Sequence, residues 1–467
     1  MVFLNPQPGD EELASLPDSN RPSAGDSEKK RQNGDDLARG KFYFSEIRRY
    51  RGLSTGRLLL AGLDEGDLAA RAEKEGWQVT QQNGDLKNND AGQFDLCILS
   101  NALERSRSPL AFLKEIHQML KPGGTLFITA PSTDSPQARL MQKRWPEFKA
   151  EHLAYFDKQT IQTALFIAGF RDLIVQSNGM NGLMAFSKKV EVRPQEVLSV
   201  IVPAFNEAAT LGVLMESLLQ KELPNLQLEI IVVESNSTDG TREIALKFQN
   251  HPRVTLVLED APRGKGHAVR VGLKVASGDY VLIQDADLEY DLEDYDALVG
   301  ELVAGRHAFV LGSRHGGQNV MKMRQFTGQR SLSLIFNTGH WFFTALINVL
   351  FLQRLRDPFT MFKVFRRDCL CGLELECDRF DFDYELLVKL IRKGYRPVEL
   401  PVNYRSRSYS DGKKVRMFRD PLSWLKVLVW LRWIKIDPMA TVEKTRLSLS
   451  GQESSASAKA GGTPVPI

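Results

Sequence analysis

The stretch that most constrains this chain is Tyr280-Val281-Leu282-Ile283-Gln284-Asp285-Ala286-Asp287-Leu288-Glu289. Four apolar or β-branched residues run straight into carboxylates spaced i, i+2. A continuous apolar run of this length reads as a buried strand. In an extended segment i and i+2 share a side, so Asp285, Asp287 and Glu289 are expected to converge on one cation at the strand's carboxyl end. Ligands of open α/β sheets bind there. Three oxygen donors suit a hard ion such as Mg²⁺ or Mn²⁺. The residues alone leave a second reading open, in which the acidic cluster is only a solvated helix start. A calcium loop is excluded, because the sixth position from Asp285 is Tyr290 and not Gly.

The length, 467 residues at 42% hydrophobic and 25% charged, allows two globular domains with tails. A net charge of +3, with no basic block carrying interleaved aromatics, excludes an argument for nucleic acid. Cys97, Cys369, Cys371 and Cys377 have neither a CxxC pair nor a His at zinc spacing. They read as reduced thiols of a cytoplasmic protein. No signal-peptide pattern stands at the N-terminus. Residues 1–40 and 447–467, rich in small and polar side chains, are expected to be disordered tails. A charged, Pro-containing stretch at Lys188–Glu196 separates domains at 41–188 and 197–436.

In the first domain, Arg57–Gly62, Trp77–Gln81, Phe94–Ser100 and Thr125–Ala130 read as strands, with helices at Asp67–Glu75 and Pro109–Leu120. Strands alternating with helices argue a parallel sheet. Phe94-Asp95-Leu96 through Asn101-Ala102-Leu103-Glu104, then Leu120-Lys121-Pro122-Gly123-Gly124, resemble class I S-adenosylmethionine-dependent methyltransferases, which implies a Rossmann-like fold. The cofactor loop departs from that family. Leu60 replaces the expected acid, Asp64 and Glu65 occupy a glycine-rich turn, and Gln81-Gln82-Asn83 stands where a ribose-binding acid belongs. A side chain at Asp64 obstructs close backbone approach. The domain is therefore expected to be a degenerate scaffold that does not bind S-adenosylmethionine.

The second domain restarts the pattern with strands at Leu198–Pro203, Glu229–Val233 and Val254–Leu258. Val202-Pro203-Ala204-Phe205-Asn206-Glu207, the Glu234–Thr241 turn, Gly264-Lys265-Gly266-His267-Ala268 and Asp285-Ala286-Asp287 follow in order at strand ends. Together they resemble glycosyltransferase family 2, inverting nucleotide-diphospho-sugar transferases of the GT-A fold. The resemblance implies donor contacts from Pro203, Phe205, Glu207, Glu234, Lys265, Asp285, Lys413, Lys414 and Arg416, and a metal at Asp285 and Asp287. Such an ion would neutralise the leaving diphosphate.

Downstream, Gly312-Ser313-Arg314, Arg330, Ser333, Asp357-Pro358-Phe359-Thr360-Met361-Phe362 and Phe382-Asp383-Tyr384-Glu385 resemble the polyprenyl-phosphate transferases within that family. This implies that Arg314, Arg330 and Ser333 hold an acceptor phosphate and that Asp357 lies near it. Asp287, Arg314, Arg330 and Asp357 are the implied catalytic residues. A hydroxyl acceptor, which needs a base, would instead depend on Asp383 or Asp357. A non-catalytic two-domain scaffold is a third reading, opposed by the intact Asp285/Asp287 pair.

Ser331–Gln353 carries no charge and leaves three readings open: core helix, interfacial helix or membrane span. Pro421–Ile436 mixes Trp424, Trp430 and Trp433 with Lys426, Arg432 and Lys435, a headgroup-zone composition. Together the two segments favour peripheral attachment to a membrane surface.

Overall fold

The computed structural model describes residues 2–3, 26–52, 55–62, 66–82, 91–190, 195–314, 330–405 and 419–444, with side chains from Arg39 onward except 330–336 and 419–422. The chain divides into two compact units. One comprises Met1–Val192 with Cys371–Leu373 and Asp437–Ile467, the other Arg193–Leu370 with Glu374–Ile436.

The first unit contains β1 (Val2–Phe3), β2 (Gly56–Gly62), β3 (Trp77–Gln82), β4 (Phe94–Ser100), β5 (Leu120–Pro131), β6 (Ala154–Tyr155), β7 (Phe170–Asn178) and β8 (Gly182–Lys189). Its main sheet has the order β3-β2-β4-β5-β8-β7. The first four strands are parallel, as their alternation with helices requires; β8 pairs antiparallel with β5, and β7 pairs antiparallel with β8. β5 starts at Leu120, so the Pro122-Gly123-Gly124 turn lies inside the strand, beside a register shift against β4.

A helix at Asp26–Arg51 begins inside the segment expected to be a loose tail. Its last turns carry Tyr43, Phe44, Ile47 and Tyr50, spaced to share one face, and all four are buried against Leu58, Phe127 and Phe186. Met439 is fully buried in the same core, with Val442 packed on it. The chain therefore returns to the first unit after completing the second.

The second unit contains β9 (Glu196–Ala204), β10 (Leu226–Glu234), β11 (Val254–Leu258), β12 (Tyr280–Ile283), β13 (Phe309–Ser313), β14 (Lys363–Arg366) and β15 (Val398–Pro401). The sheet order is β11-β10-β9-β12-β14-β13-β15, parallel except for β14. Every residue of β12 is buried, as its unbroken apolar run demands. β14 was not legible in sequence because Lys363 and Arg366 bracket only two apolar residues; both charged side chains are nevertheless buried.

Candidate active site

The site is assembled at the carboxyl ends of β9, β10, β12 and β13. β12 ends at Ile283, and Asp285 forms an ion pair with Lys265, the first residue of the Lys265–Val275 helix. Two glycines make this possible. A Cβ on Gly264, whose φ is +117°, or on Gly266 would meet backbone and side-chain atoms of the 377–382 segment, including Phe382 Cβ at 2.5 Å from position 266. Close approach brings Lys265 beside the start of the Phe382–Arg392 helix.

Glu289 does not join Asp285 and Asp287. Its Oε2 accepts the Tyr404 hydroxyl at 2.6 Å, and among the described residues no group of three or more His, Cys, Asp or Glu is arranged to hold a metal. The expectation failed because the strand stops before the carboxylates. Asp287 turns to accept the Glu289 N–H at 3.2 Å, Leu288 takes a positive φ of 58°, and the two-residue alternation is lost. Two carboxylates remain as candidates. Mg²⁺ commonly takes one or two carboxylates and completes its shell with water and substrate phosphates, so this donor set fits that ion.

The turn after β10 is a tight polar knot. Asn206 N–H donates to Ser237 Oγ, Thr238 N–H donates to Asn206 Oδ1, and Glu207 N–H donates to Thr241 Oγ1 at 2.8 Å. Pro203, in β9, lies opposite Val233, and Phe205 follows the strand half-buried. The Glu234 side chain is fully buried and engaged by Ser237 N–H at 2.7 Å and by Arg242. Burial raises its pKa, but these hydrogen bonds prevail and hold it below the usual carboxylate range. Glu234 thus sits inside the turn, where its bonds shape the loop. Sequence reasoning missed Glu259, which takes the Ser235 hydroxyl at 2.6 Å and lies 2.6 Å from His267 Nδ1.

Arg314 and Asp357 meet in a buried two-point pair: Nε to Oδ2 at 2.8 Å and Nη2 to Oδ1 at 2.6 Å. Arg314 N–H adds a third bond at 3.0 Å, and His340 Nε2 lies 3.9 Å from Oδ1. Burial pushes the Asp357 pKa up, yet the Arg314 charge and hydrogen bonds hold it well below the usual range. One edge of the Arg314 guanidinium is therefore committed to a carboxylate, and its Cζ lies 5.4 Å from the Tyr404 ring centroid. Asp357, held ionised and bonded, is unsuited to take a proton.

Asp383 has the opposite character. It lies in the first turn of its helix, with Oδ1 buried and without a hydrogen-bond partner among the described residues, 3.6 Å from the fully buried Lys363 Nζ. Burial raises the Asp383 pKa and lowers that of Lys363. Lys363 escaped sequence reasoning; its signal was a lone cation within the apolar run 361–365. Arg330 and Ser333 head the Arg330–Phe351 helix, but their side chains lie outside what is described, as do Lys413, Lys414 and Arg416 altogether.

A largely parallel sheet whose carboxyl edge gathers a Gly-Lys-Gly helix start, a pair of aspartates and a Ser/Thr/Asn turn defines a glycosyltransferase of the GT-A kind. The chain belongs to glycosyl transferase family 2, whose model matches residues 199–370. Residues 38–175 match the model of a methyltransferase domain. The dolichyl-phosphate β-glucosyltransferase of Drosophila melanogaster is 31% identical over 271 residues, 52% of this chain and 78% of that protein. The enzyme of that name from Saccharomyces cerevisiae is 27% identical over 50% of this chain and 74% of its own length. A crystal structure of glucosyl-3-phosphoglycerate synthase from Mycobacterium tuberculosis, in complex with Mn²⁺, UDP and glucosyl-3-phosphoglycerate, shares 23% identity. It covers 51% of this chain and 81% of its own, with a TM-score of 0.37.

Proposed function

We propose that the second unit transfers a sugar, with inversion, from a nucleotide-diphospho-sugar to a polyprenyl (dolichyl-type) phosphate at a membrane surface. The observation that carries this is the Lys265–Asp285 ion pair at the sheet's carboxyl edge, a cation and a carboxylate held where a diphosphate and its ion would meet. The names of the relatives supply the acceptor class and make a glucosyl donor the first to test. Asp285 and Asp287 would hold Mg²⁺ or Mn²⁺, which when bound neutralises charge on the leaving diphosphate. Lys265 supplies a fixed positive charge to the same group.

An acceptor phosphate oxygen attacks the anomeric carbon as the bond to the diphosphate breaks. The phosphate is already ionised, so no side chain has to take a proton. Arg330 and Ser333, with the uncommitted edge of Arg314, are the groups proposed to orient it. A hydroxyl acceptor is the second reading, favoured by the raised pKa of Asp383, which suits it to act as base.

Membrane contact fits the two long helices. On Arg330–Phe351 and just beyond it, Trp341, Phe342, Val349 and Leu352 are exposed, as are Leu425, Val429 and Trp433 on Arg419–Trp433. Exposed Arg354, Lys426, Arg432 and Lys435 accompany them. The opposite faces bury Phe343, Ile347, Leu428 and Leu431, so both helices are core on one side and apolar outside on the other. No helix among the described residues is long and apolar enough to cross a membrane. The test is incubation of the purified chain with a panel of nucleotide sugars, metal and polyprenyl phosphate. A metal-dependent glycolipid is expected, and Asp287→Asn should slow its formation on the order of 10²–10³-fold. Full activity of that variant in chelator, or transfer to a hydroxyl acceptor alone, would overturn the reading.

A further inference from the structure

On the first unit, the chain after β5 builds an apolar and basic surface that sugar transfer does not use. Leu140 is 83% exposed, Met180 63% and Phe148 51%. Single exposed apolar residues are ordinary, but these three stand on segments stitched together. Gln137 N–H donates to the Met180 carbonyl at 3.2 Å, and Trp145 Nε1–H donates to Asn181 Oδ1 at 3.4 Å. The Trp145 and Phe148 rings meet edge to face at 5.3 Å. Beneath them Ala138, Trp145 and Tyr155 form a small core of their own, with Met141 packed on it.

The charge on this stretch is one-sided. Arg139, Lys143, Arg144 and Lys149 are exposed, whereas no acid between 132 and 151 is. Those acids are also engaged: Asp134 takes the Ser132 hydroxyl, Glu151 holds Arg105 at 3.1 Å, and Glu147 lies 3.5 Å from Lys149. Apolar side chains set among exposed cations match a bilayer interface, where the former enter the acyl boundary and the latter meet anionic headgroups. A protein-binding patch would be depleted in lysine at its core.

We propose that the Pro136–Lys149 segment, with Met180, docks the first unit on an anionic lipid bilayer. This goes beyond the acceptor assignment and does not depend on it.

The test uses the full chain carrying an environment-sensitive fluorophore at Leu140→Cys, with Glu73→Cys, on the exposed side of the Gly66–Lys74 helix, as control. Labelling of the unsubstituted chain measures the background from the native thiols. Vesicles of phosphatidylcholine, with or without phosphatidylserine and free of polyprenyl phosphate, keep the result separate from sugar transfer. Emission at position 140 should shift to the blue with the anionic vesicles and stay unchanged at position 73. Lys143→Gln and Arg144→Gln should each weaken the titration roughly fivefold, the effect of one surface cation. A water-like signal at 140 on protein that co-sediments with the vesicles would overturn the proposal. So would a blue shift that follows protein concentration without lipid, which would assign the surface to a protein contact.

Discussion

At the scale of single residues, two buried carboxylates of the same chain are driven in opposite directions, and the difference is whether a cation is hydrogen-bonded to the carboxylate. Asp357 has Arg314 on both oxygens and stays ionised. Asp357→Asn would leave a buried guanidinium uncompensated, and the second unit should lose roughly 3–5 kcal/mol. A fall of less than about 1 kcal/mol in denaturant melts would contradict the buried-pair account. Glu104, in the first unit, has neither oxygen hydrogen-bonded among the described residues, and burial lifts its pKa from the ordinary 4.5 to about 7. Between those values the folded state holds a proton that the unfolded state has released. Stability should therefore decline as pH rises from 4.5 to about 7, by on the order of 3 kcal/mol in all. Glu104→Gln should remove that slope and make the first unit the more stable at pH 8, as thermal melts on either side of the window would show.

At the scale of elements, the same strand–turn–helix arrangement is built twice with different turn chemistry. After β9 and β10 the turns are stitched by Asn206, Ser237 and Thr241, and Gly264 and Gly266 admit the 377–382 segment. In the first unit β3 ends in Gln81 and Gln82, and neither of these described residues is a carboxylate that could receive a ribose. Asp64 and Glu65, which follow β2 in sequence, lie outside the described residues. Calorimetry with S-adenosylmethionine is accordingly expected to give no heat at micromolar concentrations. Tight binding would make the chain bifunctional.

At the scale of the whole molecule, the chain closes the first unit only after finishing the second. Met439 has no exposed surface, and Glu443 bonds Arg49 at 3.2 Å. Met439→Ala should cost the first unit roughly 2–5 kcal/mol, and a chain ending at residue 436 should expose that unit to proteolysis first. Limited proteolysis that spares the first unit of the shortened chain would show that the returning segment adds nothing to its core.

Strands β2–β5 and β9–β12 and their order along the chain were readable from residues alone, because periodicity and glycine placement are local properties. β4 and β11 fall on their expected residues, and β12 is as buried as its composition requires. What needed the tertiary structure was everything set by groups distant in sequence. The Asp357–Arg314 pair spans 43 residues, and Glu289 meets Tyr404 across 115. Lys363 and Asp383 come together on a strand and a helix, and Met439 returns to a core begun at Tyr43. A carboxylate's partner, and with it whether the group is ionised, bonded or open to a ligand, depends on which surfaces pack together. No spacing along one segment encodes that.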